Sequence, residues 1–427
     1  MKRNYYIVLL IFLIFFVISF ITNILGALNP NVITSFNLSL TLSAFLPFAF
    51  FIAYGIISIP AGMLVEKYKE KNIMLLAFLI AFLGALLFST FPNYIVFIAS
   101  LFMMGAGMAM LQVAINPLLR VSGGEEHFAF NSVLAQLIFG GASFLAPIFL
   151  TFLISELDGH NKTFVKTIFA NLVPSNLSWT SLYWVFTLIF LLMIAVIFIT
   201  KFPIVERNED EISGTWEIHK SLFKQKIVIL YFIGIFSYVG TEQGVSYWIS
   251  KFLYDYHHLD PNTIGALTVG RFWGMMSVGC LIGLGLLKLI DSRKVLTGAV
   301  ILAMIFLSIA LFGSVNLSLI AFPLVGFSLS VMWSIVFSLA LNSVNNHHGS
   351  FAGILCTAII GGAVVQLFIG WLGDTFGLRF GMMFIYLTLS YLLFIGLWAK
   401  PLIANETINI RDIKFIKKLF NTKTVQG

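Results

Sequence analysis

Residues 201–226 read KFPIVERNEDEISGTWEIHKSLFKQK, and they are the most polar stretch of the chain. Working outward from them decides the fold, because apolar runs long enough to cross a bilayer lie on both sides. A spanning helix needs roughly 20 apolar residues. By that criterion six runs precede the polar stretch, starting near Tyr5, Leu42, Ile73, Ile95, Ala129 and Ser181. Six follow it, starting near Ile227, Asn262, Val295, Leu317, Phe351 and Arg379. The expected organisation is therefore an N-terminal six-helix bundle over 1–200, a linker over 201–226, a C-terminal six-helix bundle over 227–400 and a polar, basic tail over 401–427.

Composition requires a membrane. The chain is 59% hydrophobic and only 10% charged, with a mean hydropathy of +0.98. A soluble domain carries about 25% charged residues, so this chain lacks the polar groups to cover a water-exposed surface. The start, MKRNYYIVLLIFLIFFVISF, has the basic opening of a signal peptide. Its apolar run exceeds the 7–15 residues of such a peptide and shows no small-residue cleavage site. It reads as an uncleaved first span.

Orientation follows from where Lys and Arg fall, since they concentrate in cytoplasmic loops. With Lys2 and Arg3 inside, the inside loops also hold Lys67, Lys69, Lys71, Arg120, Lys220, Lys224, Lys226, Lys288, Arg293 and Lys294. Outside loops keep only a few, such as Lys162, Lys166, Lys251 and Arg379. Both termini are expected in the cytoplasm, with the protein in the inner (cytoplasmic) membrane of a bacterium.

The halves look like copies. The fourth and fifth spans read GAGMAMLQVAINPLLRVSGGEEHFAFNSVLAQLIFGGASFLAP, and the tenth and eleventh read GFSLSVMWSIVFSLALNSVNNHHGSFAGILCTAIIGGAVVQLFIG. Each pair has a glycine-led helix ending in Asn116 or Asn342, a polar loop, and a helix carrying Gly-Gly-Ala. Small residues alone mean little, because they let membrane helices pack closely anywhere. The shared order across both pairs indicates a duplicated six-helix unit, as in transporters built from repeats.

Charges at membrane depth are rare and mark functional positions. Only Glu242 and Arg271 lie deep, each roughly 15 Å from the outer end of its helix at 1.5 Å per residue. Adjacent spans, opposite signs and matched depth suggest an ion pair. Glu242 then has several roles open to it: proton carrier, fixed partner of Arg271, ligand of substrate hydroxyls, or a packing pair with no part in transport. Gln112 and Asn116, four apart, share one helix face and suit the hydroxyls of a polar solute. Asn23, Gln136, Gln243 and Gln366 are further amides placed for such a cavity. For all of these, interhelical hydrogen bonding is the competing role. Tyr238, Trp248, Trp273 and Trp333 combine an apolar face with one polar handle, and Tyr238 shares the Glu242 face. No His, Cys, Asp and Glu grouping has metal-ligand spacing, and nothing resembles a phosphate-binding loop. No cofactor, metal or nucleic-acid partner is expected.

The chain resembles the major facilitator superfamily, and more narrowly its fucose permease-like sugar:cation symporter branch. The loop Gly62–Lys71, GMLVEKYKEK, is similar to the superfamily's signature, with Glu66 in the acidic position. GLLKLIDSRK from Gly285 is a looser second copy. QVAINPLL from Gln112, YVGTEQGVSYW from Tyr238, MWSIVFSLAL from Met332 and GGAVVQLFIGWLGD from Gly361 resemble the branch's patterns in order. The resemblance implies an all-α membrane protein of twelve transmembrane helices in two pseudosymmetric bundles. It implies alternating-access uptake of a sugar or sugar-like polar solute by a monomer, with a proton or sodium as the coupling cation. It also implies a cytoplasmic gate at Gly62, Glu66, Lys67 and Lys71. Two departures stand out: where fucose permeases keep acids in the first and fourth spans, this chain has Gly26 and Gln112. Uncoupled facilitation and export of a drug or metabolite are the alternatives within the superfamily, and an integral membrane enzyme is the remote one.

Overall fold

A helix of 51 residues, Leu40–Thr90, would run about 76 Å at 1.5 Å per residue, more than twice the ~30 Å hydrocarbon core. It does not run straight. At Lys69 the backbone enters the left-handed region, with φ 70°, and two spans separate there. The computed structural model describes residues 4–123, 128–159, 163–169, 171–203 and 216–401. The central linker over 204–215 and the tail beyond 401 fall outside them.

With that break counted, twelve spans are present among the described residues. In chain order they are α1 (Tyr5–Phe36), α2 and α3 (40–68 and 70–90), α4 (Tyr94–Gly123), α5 (Phe128–Asp158) and α6 (Ser181–Ile199). The second half comprises α7 (Lys226–His257), α8 (Pro261–Leu289), α9 (Ser292–Phe312), α10 (Val315–Leu341), α11 (His348–Phe376) and α12 (Leu378–Trp398). A short helix, Trp216–Phe223, precedes α7. We call the face where α1 begins the near side and the opposite face the far side.

Local sequence sets these ends. Asn4 caps α1 by accepting from the Ile7 N–H (3.3 Å), Ser39 does the same for Leu42 (3.2 Å), and Asp260 for Asn262 (3.3 Å). Such side-chain oxygens satisfy helix-start N–H groups that otherwise lack a partner. Small residues then let backbones meet: a Cβ on Gly105 would stand 2.1 Å from the Phe50 carbonyl oxygen, and one on Gly107 2.5 Å from that of Ala77. These contacts fix α4 against α2 and α3, the packing mode expected where lipid offers no hydrophobic drive between helices.

Three spans break near mid-depth. α1 breaks at Asn23 and Ile24, α10 at Ser330 and Val331, and α11 through a 3₁₀ turn at Ala358–Ile360. Breaks free carbonyls, which must find donors inside a membrane; at the α10 break the Cys280 thiol donates to Ser330 O (3.4 Å). The breaks in α1 and α10 both lie beside the Tyr238–Gln243 turn of α7.

Candidate functional site

At mid-depth the two halves are joined by side chains from α1, α5 and α7. Asn23, freed from helical geometry at the α1 break, donates its amide to Ser143 Oγ (2.8 Å) and accepts from Gln243 Nε2 (3.3 Å). Ser19 and Ser143 share a hydrogen bond of 2.5 Å. All four side chains are buried. One turn away on α7, the Tyr238 hydroxyl donates to Glu242 Oε1 (2.9 Å). The Tyr238 ring lies 5.9 Å from Trp333, whose ring stacks on Phe337 at 5.7 Å. The product is a carboxylate, a phenol, two amides and two hydroxyls beside an aromatic wall. That is the mixture that suits a polyol, whose C–H faces stack while its hydroxyls find amides.

This group is sealed on the far side. Gly26 meets α7 so closely that a Cβ would sit 2.4 Å from the Ser246 carbonyl oxygen. Beyond it Asn29 Nδ2 donates to Tyr247 O (3.3 Å), while Tyr247 donates through its hydroxyl to Ser43 O (2.7 Å). Asn31 donates to Asn262 Oδ1 (2.7 Å), and Thr151 to Asn262 O (2.6 Å). Gly370 and Gly362 of α11 lie against Leu40 and Phe51 of α2. Outermost, the Asp374 carboxylate accepts from the N–H groups of Leu40 and Thr41 (2.8 Å each) and from Thr41 Oγ1 (2.5 Å). A carboxylate from one half thus caps the first turn of a helix in the other, where the helix dipole also favours negative charge.

The near side differs. Among the described residues, α4 and α5 make no extended contact with α10 and α11. Gln112 is half-buried, and Asn116, Gln136, Ser334 and Ser338 are exposed. Asn116 donates to the Gln112 carbonyl one turn back (3.1 Å), which confirms their shared face. Glu242 and Trp333 retain partial exposure. The cleft therefore opens to the near side, with the Asn23–Gln243–Ser143 group as its floor.

Two expectations from the sequence are corrected here. Arg271 is not the partner of Glu242. It is exposed, on the α8 face shared with Val278 and Ile282, while Gly270 faces Phe144 of α5 and Gly279 faces Phe327 and Ser330 of α10. Depth matched, but azimuth did not. No ion pair involving Glu242 exists among the described residues. Trp248 is fully buried, seven residues after Thr241, whose hydroxyl meets Thr388 of α12 at 2.6 Å. That spacing returns to the same helix face, so Trp248 packs into the C-terminal half and does not line the cleft.

Trp273 and Gln366 are also sealed, at 1% and 0% exposure, and neither the Trp273 indole N–H nor either Gln366 amide atom has a hydrogen-bond partner. Of the near-side loop residues, Gly62 is buried, Glu66 is partnered, and Lys67 lies over the Tyr68 ring at 5.2 Å. Lys71 donates to the carbonyls of Phe198 and Thr200 (2.8 Å each), capping the end of α6 in its own half. Sequence reasoning missed Ser19, Ser143, Asn31, Asn262 and Asp374. Only Asp374 carried a signal, as the acid closing the GGAVVQLFIGWLGD stretch.

Asp374→Ala removes three bonds that exist only while the far side is shut. The site is exposed, so the loss is about 1–2 kcal/mol in total, a five- to thirtyfold shift toward far-side opening. Modification of a cysteine at Ser43 by a membrane-impermeant reagent should accelerate accordingly; an unchanged rate would show that the Asp374 bridge does not hold the gate.

A polytopic helical protein with two six-helix halves, sealed on one face and cleft on the other around a buried polar group, has the architecture of a membrane transporter built from repeats. The chain belongs to the major facilitator superfamily, whose model matches residues 11–359. It is 32% identical over 395 residues to the glucose/galactose transporter of Brucella abortus, covering 90% of this chain and 92% of that one. It is 26% identical over 382 residues to the L-fucose-proton symporter of Escherichia coli, covering 85% and 86%. These relatives bear out the likeness to the fucose permease-like branch. Among solved structures, FucP in its outward conformation superposes with a TM-score of 0.67 at 23% identity, over 92% of this chain and 98% of that one. An inward-facing, occupied bacterial homolog of the human lysosomal transporter Spinster gives 0.76 at 13% identity, over 94% and 98%. Both share the fold.

Proposed function

We infer that this protein takes up a sugar by alternating access, coupled to a proton or sodium gradient, and that the near side is the cytoplasm. The observation carrying this reading is the mid-depth group of Asn23, Ser143, Tyr238, Glu242 and Gln243. It is built from both halves, lies beside an aromatic wall and opens to one face only. Its amides and hydroxyls match a neutral polyol better than an apolar drug, because each buried polar group left unpaired by a ligand is costly. The named substrates of the relatives, glucose, galactose and fucose, have this chemistry.

The near side as cytoplasm is supported by its basic residues, Lys67, Lys69, Lys71, Lys224, Lys226, Lys288, Arg293 and Lys294, following the positive-inside tendency. In this reading Asn23, Gln112, Asn116, Gln136, Gln243, Tyr238 and Trp333 contact substrate as the cleft fills. Glu242 couples transport to the cation, and Gly62, Glu66, Lys67 and Lys71 belong to the cytoplasmic gate. Trp273 and Gln366 enter the site only when the far side opens and exposes them. Coupling through Glu242 is favoured over uncoupled facilitation because a deep carboxylate without a basic partner has a large desolvation cost, which a transported cation would relieve.

Counterflow tests the substrate assignment. Proteoliposomes preloaded with D-glucose, D-galactose or L-fucose should draw in the same radiolabelled sugar from outside. Asn23→Leu, which removes the amide bridging Ser143 and Gln243, should reduce that exchange at least severalfold. No exchange with any sugar of the panel would refute the assignment.

A further inference from the structure

On the far face, outside the sealed gate, the halves enclose a second cleft of about 370 Å³. Its size falls within the range of small-molecule pockets, about 300–1,000 Å³. One wall belongs to the N-terminal half: Asn31 and Thr34 at the end of α1, and Ser175, Asn176 and Trp179 in the segment before α6. The other belongs to the C-terminal half: Lys251 and Tyr254 of α7, and Asn262 at the start of α8. The Asn31–Asn262 hydrogen bond (2.7 Å) ties the two walls together.

The chemistry of the walls selects a neutral ligand. The two charged side chains lining the cleft are already engaged: Lys251 with Asp255 at 2.5 Å, and Asp158 with the Ser178 hydroxyl. The Trp179 indole donates to Ser35 Oγ (3.0 Å). Thr34, Ser175 and Asn176 are exposed; among the described residues none of them makes a side-chain hydrogen bond across the cleft, and Thr34 bonds back to Pro30 O within α1 (2.9 Å). Tyr254, 50% exposed, has Lys251 Nζ 5.5 Å from its ring centroid on one face and offers the other. Exposed amides and hydroxyls facing an aromatic ring, with Lys251 paired to Asp255 and the one remaining carboxylate, Asp158, able to accept from hydroxyls, suit a polyhydroxylated ring compound.

We propose that this outer cleft is a second, peripheral sugar site, and that its occupancy holds the far-side gate shut. The site exists only while the halves are together on this face, since opening would separate Asn31 from Asn262 and part the walls. A ligand that binds one state of a two-state protein shifts the population toward that state. At about ten times its dissociation constant the shift is roughly tenfold. External sugar at high concentration therefore slows return of the carrier to its far-open state and inhibits its own uptake. The choice of sugar as ligand rests on the reading under Proposed function; the geometry of the site does not.

Two measurements on the full-length protein test this. In right-side-out vesicles, initial uptake of D-galactose, D-glucose or L-fucose should rise, pass a maximum and fall severalfold as external sugar increases. Asn176→Leu together with Tyr254→Ala should abolish the fall while leaving the rate at low sugar within about twofold. Simple saturation in the parent protein would overturn the inhibitory role even if the variants fold poorly. Separately, on a background with Cys280 and Cys356 replaced by Ser, a cysteine at Thr34 should react more slowly with a membrane-impermeant thiol reagent when sugar is present. A cysteine at Asn37, exposed on the same face but outside the cleft, should not. Equal reactivity at Thr34 with and without each sugar overturns the site. If that equality accompanies normal transport, the proposed uptake stands; if no sugar is transported either, both readings fall.

Discussion

Glu242→Gln is expected to abolish accumulation of sugar against its gradient while leaving counterflow exchange largely intact. The substitution is close in shape, and the amide carbonyl can still accept the Tyr238 hydroxyl that now donates to Glu242 Oε1 at 2.9 Å. What is lost is the one acidic group at mid-depth among the described residues, and with it the proposed means of binding a cation or proton in one access state and releasing it in the other. Accumulation should fall at least about tenfold, the equivalent of ~1.4 kcal/mol of lost coupling. The structure strengthens this expectation by removing the rival partner. With Arg271 exposed on α8, Glu242 has no ion-pair partner among the described residues. An accumulation ratio in Glu242→Gln equal to that of the parent would exclude the carrier role. Equal loss of accumulation and counterflow would instead make Glu242 a substrate ligand.

Gly26→Ala is expected to slow the cycle severalfold or more by disfavouring far-side closure. The added Cβ would stand 2.4 Å from Ser246 O and 3.1 Å from the Tyr247 Cα. Both obstacles are backbone, and a Cβ has no rotamer with which to escape them. Overpacking of this kind costs about 1–3 kcal/mol, a shift of some 5–150-fold in the access equilibrium. The clash crosses between the halves, so each bundle can fold undisturbed and thermal stability should change little. Oxidative crosslinking of cysteines at positions 31 and 262, which the far-side seal brings together, reports the effect. It should be fast in the parent and slowed in the variant, with uptake reduced in proportion. The same contact requires glycine at position 26 while the far side is shut, since even a Cβ would stand 2.4 Å from Ser246 O.

Much of this was legible in the sequence, and the limits are physical. Apolar runs and the polar stretch at 201–226 gave the spans, because bilayer thickness sets their length. Helical spacing put Tyr238 and Glu242 on one face, and they do share a hydrogen bond. Rotation of one helix about its axis relative to another leaves no such mark. Arg271 and Glu242 have similar depth, yet α8 is turned so that Gly270 and Gly279 meet its neighbours and Arg271 points away. Trp248 was misplaced for the same reason. The Asn23–Gln243 bond and the Asp374 cap on α2 join residues more than 200 positions apart, so only the docking of the two halves reveals them. Gln366 was recognisable as a polar group in an apolar helix, but its unpartnered burial depends on how neighbouring helices pack around it.

The most direct test of the account is accumulation by the purified protein in proteoliposomes, with D-glucose, D-galactose and L-fucose each offered under a proton gradient and under a sodium gradient imposed separately. At least one sugar should rise above its external concentration under one of the two gradients and equilibrate without it. Equilibration alone, with every sugar and either gradient, would contradict it.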